Sequence, residues 1–297
     1  MKVNSSKNLK KIKVIAIVGP TASGKTAFAV QYAKEHNGEI ISADSRLVYR
    51  GFDIGTAKPT EEERQGILHH LIDITEPEND YSAFQYVKDA EKAVFDIISR
   101  DKLPVITGGT GLYLKSFLEG YDFPEMNTDY ELRRELYKLN TEELYKKLQK
   151  LDFATAGKIE KNDKKKIIRS LEVIISLKKP LSEIIKKKET PYDVEWIGLN
   201  YPRHELYERI NKRVDLMIEK GLVEETKSLL QKYGAVPNIV NTIGYREITE
   251  YLNGTFTLEK AVEILKQNTR NYAKRQLTWF RKNNAIKWNC YPEKLKK

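Results

Sequence analysis

Residues 12–18 read Ile-Lys-Val-Ile-Ala-Ile-Val, a β-branched apolar run that predicts a first strand. Apolar positions then shift to helical spacing over residues 25–36, where Phe28, Ala29, Tyr32 and Ala33 fall along one side. Residues 39–43 read as a second buried strand, which completes a βαβ unit. A further helix is expected over residues 82–100, with Phe84, Val87, Ala90, Val94 and Ile98 at helical spacing, and a third strand over residues 103–107. Strands and helices alternating at this spacing predict an α/β fold with a parallel sheet that carries its ligands at the carboxyl ends of the strands.

The alternation stops around residues 121–128, and residues 129–188 become charged and helical with no convincing strand. A strand pattern returns over residues 191–200 with Val194, Trp196, Ile197 and Leu199. A helical block between two stretches of strand pattern predicts an inserted subdomain. The expected organisation is a flexible basic tail over residues 1–13, a core of residues 14–124 and 190–297, and an all-helical insertion over residues 125–189. A helical C-terminal region follows, with helices expected at residues 203–220, 223–233, 244–252 and 257–283. No internal repeat or low-complexity tract interrupts the chain.

The 297 residues carry a net charge of +10, which favours a polyanionic partner but also suits a lysine-rich solvated surface. Distribution narrows the choice: residues 257–297 hold eleven Lys or Arg against three acids, while residues 125–195 hold seventeen against fourteen. The C-terminal end is the basic pole. Cys290 is the only cysteine, so an intramolecular disulfide and a cysteine-rich zinc site are both excluded, and a reducing, cytoplasmic setting is expected. The run at residues 12–18 is too short to span a membrane and follows a polar tail, so neither a membrane anchor nor a signal peptide is expected. His36, His69, His70 and His204 lack metal-site spacing, and His69-His70 is expected at a strand entrance.

The first strand ends in Gly19-Pro-Thr-Ala-Ser-Gly-Lys-Thr26, the pattern GxxxxGK[ST] in its strand-then-helix context. Gly19 and Gly24 let backbone amides turn inward around an anion, the helix adds the positive end of its dipole, Lys25 reaches terminal phosphates and Thr26 offers a hydroxyl to Mg2+. Asp44 ends the second strand and should project beside this loop, as a general base, a water-mediated Mg2+ ligand or an N-cap. After the third strand, where a nucleotide hydrolase would carry an aspartate, stands Gly108-Gly109-Thr110-Gly111. These glycines allow either a second close backbone approach to a ligand or a tight turn. Arg213 sits on or beside an apolar helix face, which suits pairing with an acid or bidentate binding of a phosphate. In the last helix, Tyr272, Lys274, Arg275, Gln276 and Trp279 interleave basic, polar and aromatic groups. That pattern fits either nucleic-acid binding or aromatics packed on the core beneath a solvated basic face.

Taken in order, these motifs resemble the tRNA dimethylallyltransferases, also called tRNA isopentenyltransferases. The resemblance runs through residues 19–26, Ser42-Ala-Asp-Ser45, Val48-Tyr-Arg-Gly51, Asp53-Ile-Gly-Thr-Ala-Lys-Pro59 and His69-His-Leu-Ile-Asp73. It continues through Gly108-Gly-Thr-Gly-Leu-Tyr113, Ile243-Gly-Tyr-Arg246 and Ala273-Lys-Arg-Gln-Leu-Thr-Trp279. It implies transfer of a dimethylallyl group from its diphosphate to the exocyclic amine of adenosine 37 of tRNA, with Mg2+ and release of diphosphate. By the same resemblance Asp44 is the general base, and Thr110 and Arg213 act with it. Gly19, Thr21, Ala22, Ser23, Gly24, Lys25 and Thr26 hold the diphosphate, and Thr26 also holds the metal. The tRNA anticodon stem-loop would meet Asp44, Ser45, Arg46, Leu47, Thr110, Arg133, Lys165, Lys166, Arg169, Asn241, Gly244, Tyr245 and Arg246. Charge placement adds Lys274 and Arg275. The target base must leave its stack to reach Asp44. Two departures stand out, because many members carry Gln where this chain has Leu47 and tend to carry Arg where Lys164 and Lys166 stand. A monomer is expected. The rival enzyme reading is a P-loop nucleotide or small-molecule kinase, and a nucleic-acid-binding NTPase module is the rival outside transferases.

Overall fold

The structure, a computed structural model, describes residues 11–126 and 128–290. In chain order it begins with β1 (Ile12–Val18), α1 (Lys25–Glu35), β2 (Gly38–Ser42), α2 (Glu61–Arg64), β3 (His69–His70), α3 (Ala83–Ser99), β4 (Leu103–Gly108) and α4 (Gly111–Leu118). Then come β5 (Tyr121–Asp122), α5 (Tyr130–Lys138), α6 (Thr141–Leu151), α7 (Phe153–Ala156), α8 (Lys164–Leu177), α9 (Leu181–Ile184) and β6 (Lys186–Lys187). The chain continues through β7 (Tyr192–Asn200), α10 (Arg203–Glu219), α11 (Leu222–Tyr233), α12 (Pro237–Val240), α13 (Tyr245–Leu252), α14 (Leu258–Phe280) and β8 (Lys287–Cys290). Two compact units result, one made of residues up to Leu118 with those from Pro191 onward, the other of Glu119–Thr190.

The first unit is built on a parallel sheet ordered β3-β2-β4-β1-β7-β8. Val14, Ala16 and Val18 of β1 face α3 and α4, packing with Tyr86, Ala90, Val94 and Leu114, whereas Ile15 and Ile17 face Ala29, Val30 and Ala33 of α1. Residues 14–18 are therefore buried on both faces, which is why the strand reads as an unbroken apolar run. Each such Val or Ile contributes roughly 1.5–3 kcal/mol of burial. A third cluster joins Val48, Tyr49 and Phe52, just after β2, to Val214, Leu222, Tyr245, Ile248 and Leu265 of the C-terminal helices. It fixes the loop that leaves β2 against those helices.

Three elements depart from the sequence reading. The tail expected over residues 1–13 lies largely outside the described residues, and Ile12 and Lys13 already belong to β1, paired with Tyr192 and Asp193. His69-His70 forms a short strand on Ile40 and Ile41, with no strand following it. β8 adds an edge on β7 beyond the last helix, its four residues too few for a period to register. Over Gly198 of β7, an added Cβ would lie 2.7 Å from the Trp288 ring, so the missing side chain makes room for that edge strand. Among the described residues no helix is long and apolar enough to cross a membrane.

In the unit of Glu119–Thr190, α5, α6 and α8 bury Leu136, Leu144, Leu148, Ile167, Leu171 and Ile174. The expectation of no strand between residues 129 and 188 fails at β6, whose two lysines pair antiparallel with Tyr121 and Asp122. Two residues of backbone pairing leave no pattern in side-chain character. Glu172, with no exposed surface, accepts from Asp129 N at 2.9 Å, Arg133 Nε at 2.8 Å and Arg169 Nη1 at 2.8 Å. Asp152 likewise gathers the backbone and hydroxyl donors of Thr155 and Ser182.

Glu39, 3% exposed at the start of β2, accepts from Arg100 Nη2 at 2.7 Å, Lys102 Nζ at 2.9 Å and His70 Nε2 at 2.7 Å. Burial works against its charge, but these donors win and hold the carboxyl at about 2. Because the folded value lies below the unfolded one, the stabilisation is complete above pH 4.5 and is lost as pH falls toward 2. Urea denaturation of Glu39→Gln should show a loss of roughly 3 kcal/mol at pH 7 and a flatter acid limb than wild type. An unchanged acid limb would contradict this role.

Candidate functional site

The site begins where β1 ends. Gly19 passes so close to β7 that a Cβ would sit 2.2 Å from the Leu199 carbonyl oxygen. Gly24, with φ 79°, turns the chain into α1, whose first residues are Lys25 and Thr26. Lys25 Nζ donates to the Pro20 carbonyl at 2.6 Å. Burial, and then the nearby Arg213 guanidinium, lower the Lys25 pKa to about 7, with Asp44 opposing them. Arg213 donates from Nη1 to Thr21 Oγ1 at 3.3 Å and from Nη2 to the Thr56 carbonyl at 3.1 Å. Neither partner is an acid, so the ion-pair option left open by the sequence does not describe these contacts. Burial also lowers the Arg213 pKa, against the pull of Asp44.

Asp44 and Ser45 leave β2 in a tight turn: Asp44 Oδ1 accepts from Arg46 N at 2.8 Å, and Ser45 N donates to Thr110 Oγ1 at 3.0 Å. The Thr110 hydroxyl thus fixes the turn that carries Asp44, and Thr110 N in turn donates to the Ala43 carbonyl at 3.1 Å. The facing loop, residues 52–57, is held by Glu225, which accepts from Ile54 N, Gly55 N and Tyr245 Oη at 2.8, 3.0 and 2.7 Å. Sequence reasoning missed the contact that joins these parts. Gln276 of α14, 5% exposed, accepts from Thr21 N at 2.8 Å and donates to the Gly109 carbonyl at 3.0 Å. A Cβ on Gly109 would lie 2.0 Å from Gln276 Nε2, so this glycine serves close packing of the helix. The available signal was an amide on the buried stripe Ala273, Gln276 and Phe280.

A cavity of about 500 Å³ opens between these elements. Its lining includes Thr21, Lys25, Thr26, Asp44, Ser45, Arg46, Leu47, Arg213, Asn241, Arg246, Arg275 and Gln276, with an apolar wall of Ile72, Ile210, Val214, Met217 and Leu265. Among the described residues, five Lys or Arg side chains and a single carboxylate, Asp44, line it. Gly19, Ala22, Ser23, Gly24 and Thr110 shape the loops from outside the lining, and Ser23 is fully buried. Tyr245 corrects an expectation, because its fully buried side chain packs 4.6 Å from Phe52 and has no surface for a tRNA. Gly244 is buried beside it, with φ 103°. The last helix has a packed side and a solvated side: Ala273, Gln276 and Phe280 are buried while Lys274, Arg275 and Trp279 are exposed.

In the unit of Glu119–Thr190, Arg133 and Arg169 are 32% and 45% exposed while paired with Glu172, and Lys165 and Lys166 are exposed. Lys166 pairs with Asp163 at 2.7 Å. Lys164 donates to the Tyr137 and Leu139 carbonyls at 3.0 and 2.6 Å, capping the end of α5.

A strand-to-helix loop with the GxxxxGK[ST] pattern, the half-buried cations Lys25 and Arg213, and the carboxylate of Asp44 stand together at the carboxyl ends of a parallel sheet in an α/β fold. A family model described as IPP transferase matches residues 47–283, and the chain belongs to that family. It is 46% identical over 291 residues to a tRNA dimethylallyltransferase of Pelotomaculum thermopropionicum, covering 96% of this chain and 92% of that one. A Streptococcus pyogenes tRNA dimethylallyltransferase is 48% identical over 285 residues, covering 95% and 92%. Among solved structures, the tRNA isopentenylpyrophosphate transferase of Bacillus halodurans matches with a TM-score of 0.72 at 42% identity, covering 94% and 90%. A eukaryotic dimethylallyltransferase acting on tRNA matches with a TM-score of 0.81 at 30% identity, covering 94% and 74%.

A Lys25 pKa near 7 has a thermodynamic consequence. An anion bound beside the ammonium raises that pKa, so binding takes up a proton above pH 7 and weakens as pH rises. Calorimetry with inorganic diphosphate between pH 6 and 9 should show this uptake in wild type and its loss in Lys25→Ala, which removes the contribution of the ligand's own titration. Equal proton uptake by both proteins would contradict the assignment.

Proposed function

We propose that the protein transfers a dimethylallyl group from dimethylallyl diphosphate to the exocyclic amine of adenosine 37 in the anticodon loop of tRNA, releasing diphosphate. The observation that carries the reading is a lone carboxylate, Asp44, in a cavity whose other charged groups are cations gathered at a phosphate loop. A phosphate site alone would suit many enzymes. A base beside it, an apolar wall of Ile72, Ile210, Val214, Met217 and Leu265, and relatives named for this transfer together favour prenyl chemistry over the kinase alternative.

The adenine amine is a weak nucleophile because its lone pair is delocalised into the ring. Asp44 takes its proton as the bond from nitrogen to the allylic carbon forms and the bond from that carbon to the diphosphate oxygen breaks. Thr110 holds the Asp44 turn in place through Ser45 N. Charge builds up on the departing diphosphate, and the loop amides, Lys25 and Arg213 stabilise it. Mg2+ would be held by the Thr26 hydroxyl, which lines the cavity, and would supply further charge neutralisation on the leaving group. Arg46, Asn241, Arg246, Lys274 and Arg275 meet the anticodon loop. Arg133, Lys165, Lys166 and Arg169 contribute cations to the backbone of the same tRNA, the two arginines held by Glu172.

Asp44→Asn tests the chemical step. Single-turnover transfer should fall by about 100-fold or more while stem-loop affinity stays within a few fold, and undiminished turnover would remove Asp44 from the mechanism. For Lys274→Ala combined with Arg275→Ala, tRNA affinity should drop and the slope of log K against log salt should become shallower by about 1–2. An unchanged slope would leave α14 a packing element only.

A further inference from the structure

Two hydroxyls in the cavity wall have no hydrogen-bond partner. Ser42 Oγ of β2 and Thr107 Oγ1 of β4 are buried, 3% and 9% exposed as residues, and both side chains line the cavity with Lys25 and Thr26. They stand opposite each other in the parallel register of the two strands. Strand alternation puts them on the same face as Ile40 and Val105, two residues earlier, and that face packs against α1. They therefore lie beneath the start of α1, where Lys25 and Thr26 emerge. Polar groups this buried carry an energetic penalty unless something satisfies them, and no protein group among the described residues does.

Their place in the topology points to what satisfies them. In P-loop NTPases an aspartate stands beside the phosphate loop and serves Mg2+. Thr107 is the penultimate residue of β4, the strand next to β1, and the neighbouring strand β2 offers Ser42. Mg2+ keeps several of its waters when bound to phosphates, and those polarised waters are strong donors in need of acceptors. We propose that Ser42 and Thr107 form a neutral outer-shell seat, accepting hydrogen bonds from waters on the Mg2+ that Thr26 holds with the diphosphate. Hydroxyls do this without adding negative charge. Asp44 thus stays the only acid among the described residues of the cavity, and the metal enters with its diphosphate instead of being captured alone. His69 extends the same wall: its Nδ1 donates to the Ile67 carbonyl at 2.9 Å, so its buried Nε2 presents a lone pair to a further water.

This rests on the reading of residues 19–26 as a diphosphate site, and the test separates the two. Mn2+, visible by electron paramagnetic resonance, is titrated into the protein with saturating inorganic diphosphate. Ser42→Ala and Thr107→Val should each weaken Mn2+ binding by about tenfold, as loss of an outer-shell partner does, while Thr107→Ser stays near wild type. Metal-free diphosphate affinity and the thermal midpoint should change little in all three. Unchanged Mn2+ affinity in the Ser42→Ala, Thr107→Val double variant would overturn the proposal. So would an equal loss of metal-free diphosphate binding, which would mean that the hydroxyls touch the anion itself. A wild-type protein that binds no diphosphate would instead overturn the underlying reading.

Discussion

Two neighbouring strands, β1 and β4, end in loops at one cavity, the first carrying Thr21, Lys25 and Thr26 and the second the Thr110 hydroxyl that steadies the Asp44 turn. Group transfer needs the two halves held within a fraction of an ångström of a working distance. The Gln276 amide spans them, accepting from Thr21 N and donating to the Gly109 carbonyl. A helix from the far end of the chain thereby ties the two loops together, and the same helix exposes Lys274 and Arg275. The glycines opposite α14 follow from this demand, since a side chain at Gly109 or Gly111 would collide with Gln276 or Trp279.

Electrostatics supplies the second constraint. Burial lowers the pKa of both Lys25 and Arg213, and the Arg213 guanidinium lowers that of Lys25 further. Two cations so placed are costly to keep charged and favour a polyanion nearby. Elsewhere the chain balances buried carboxylates with several donors each, as at Glu39, Asp152 and Glu172.

Much of this was legible in the residues themselves. Continuous β-branched runs marked β1, β2 and β4, the glycine spacing marked the turn from β1 into α1, and the place of Asp44 after a strand marked it as a cavity residue. What escaped depended on pairing between distant parts. β5, β6 and β8 are too short to carry a period. α4 was hidden within a glycine-rich turn motif, and Gln276 looked like one polar residue on a mixed helix face. Tyr245 shows the converse, for a motif position was read as a contact when its ring fills a core and its hydroxyl serves Glu225. Arg133 and Arg169 share an ion-pair partner that no local pattern reveals, because Glu172 is buried.

Direct assay of the reaction tests the central claim. Wild-type protein incubated with labelled dimethylallyl diphosphate, Mg2+ and unmodified tRNA should place label on the exocyclic amine of adenosine 37, recovered as the prenylated nucleoside after digestion, with stoichiometric diphosphate. Absence of label in tRNA, together with phosphate release from ATP, would contradict it and return the loop to nucleotide chemistry.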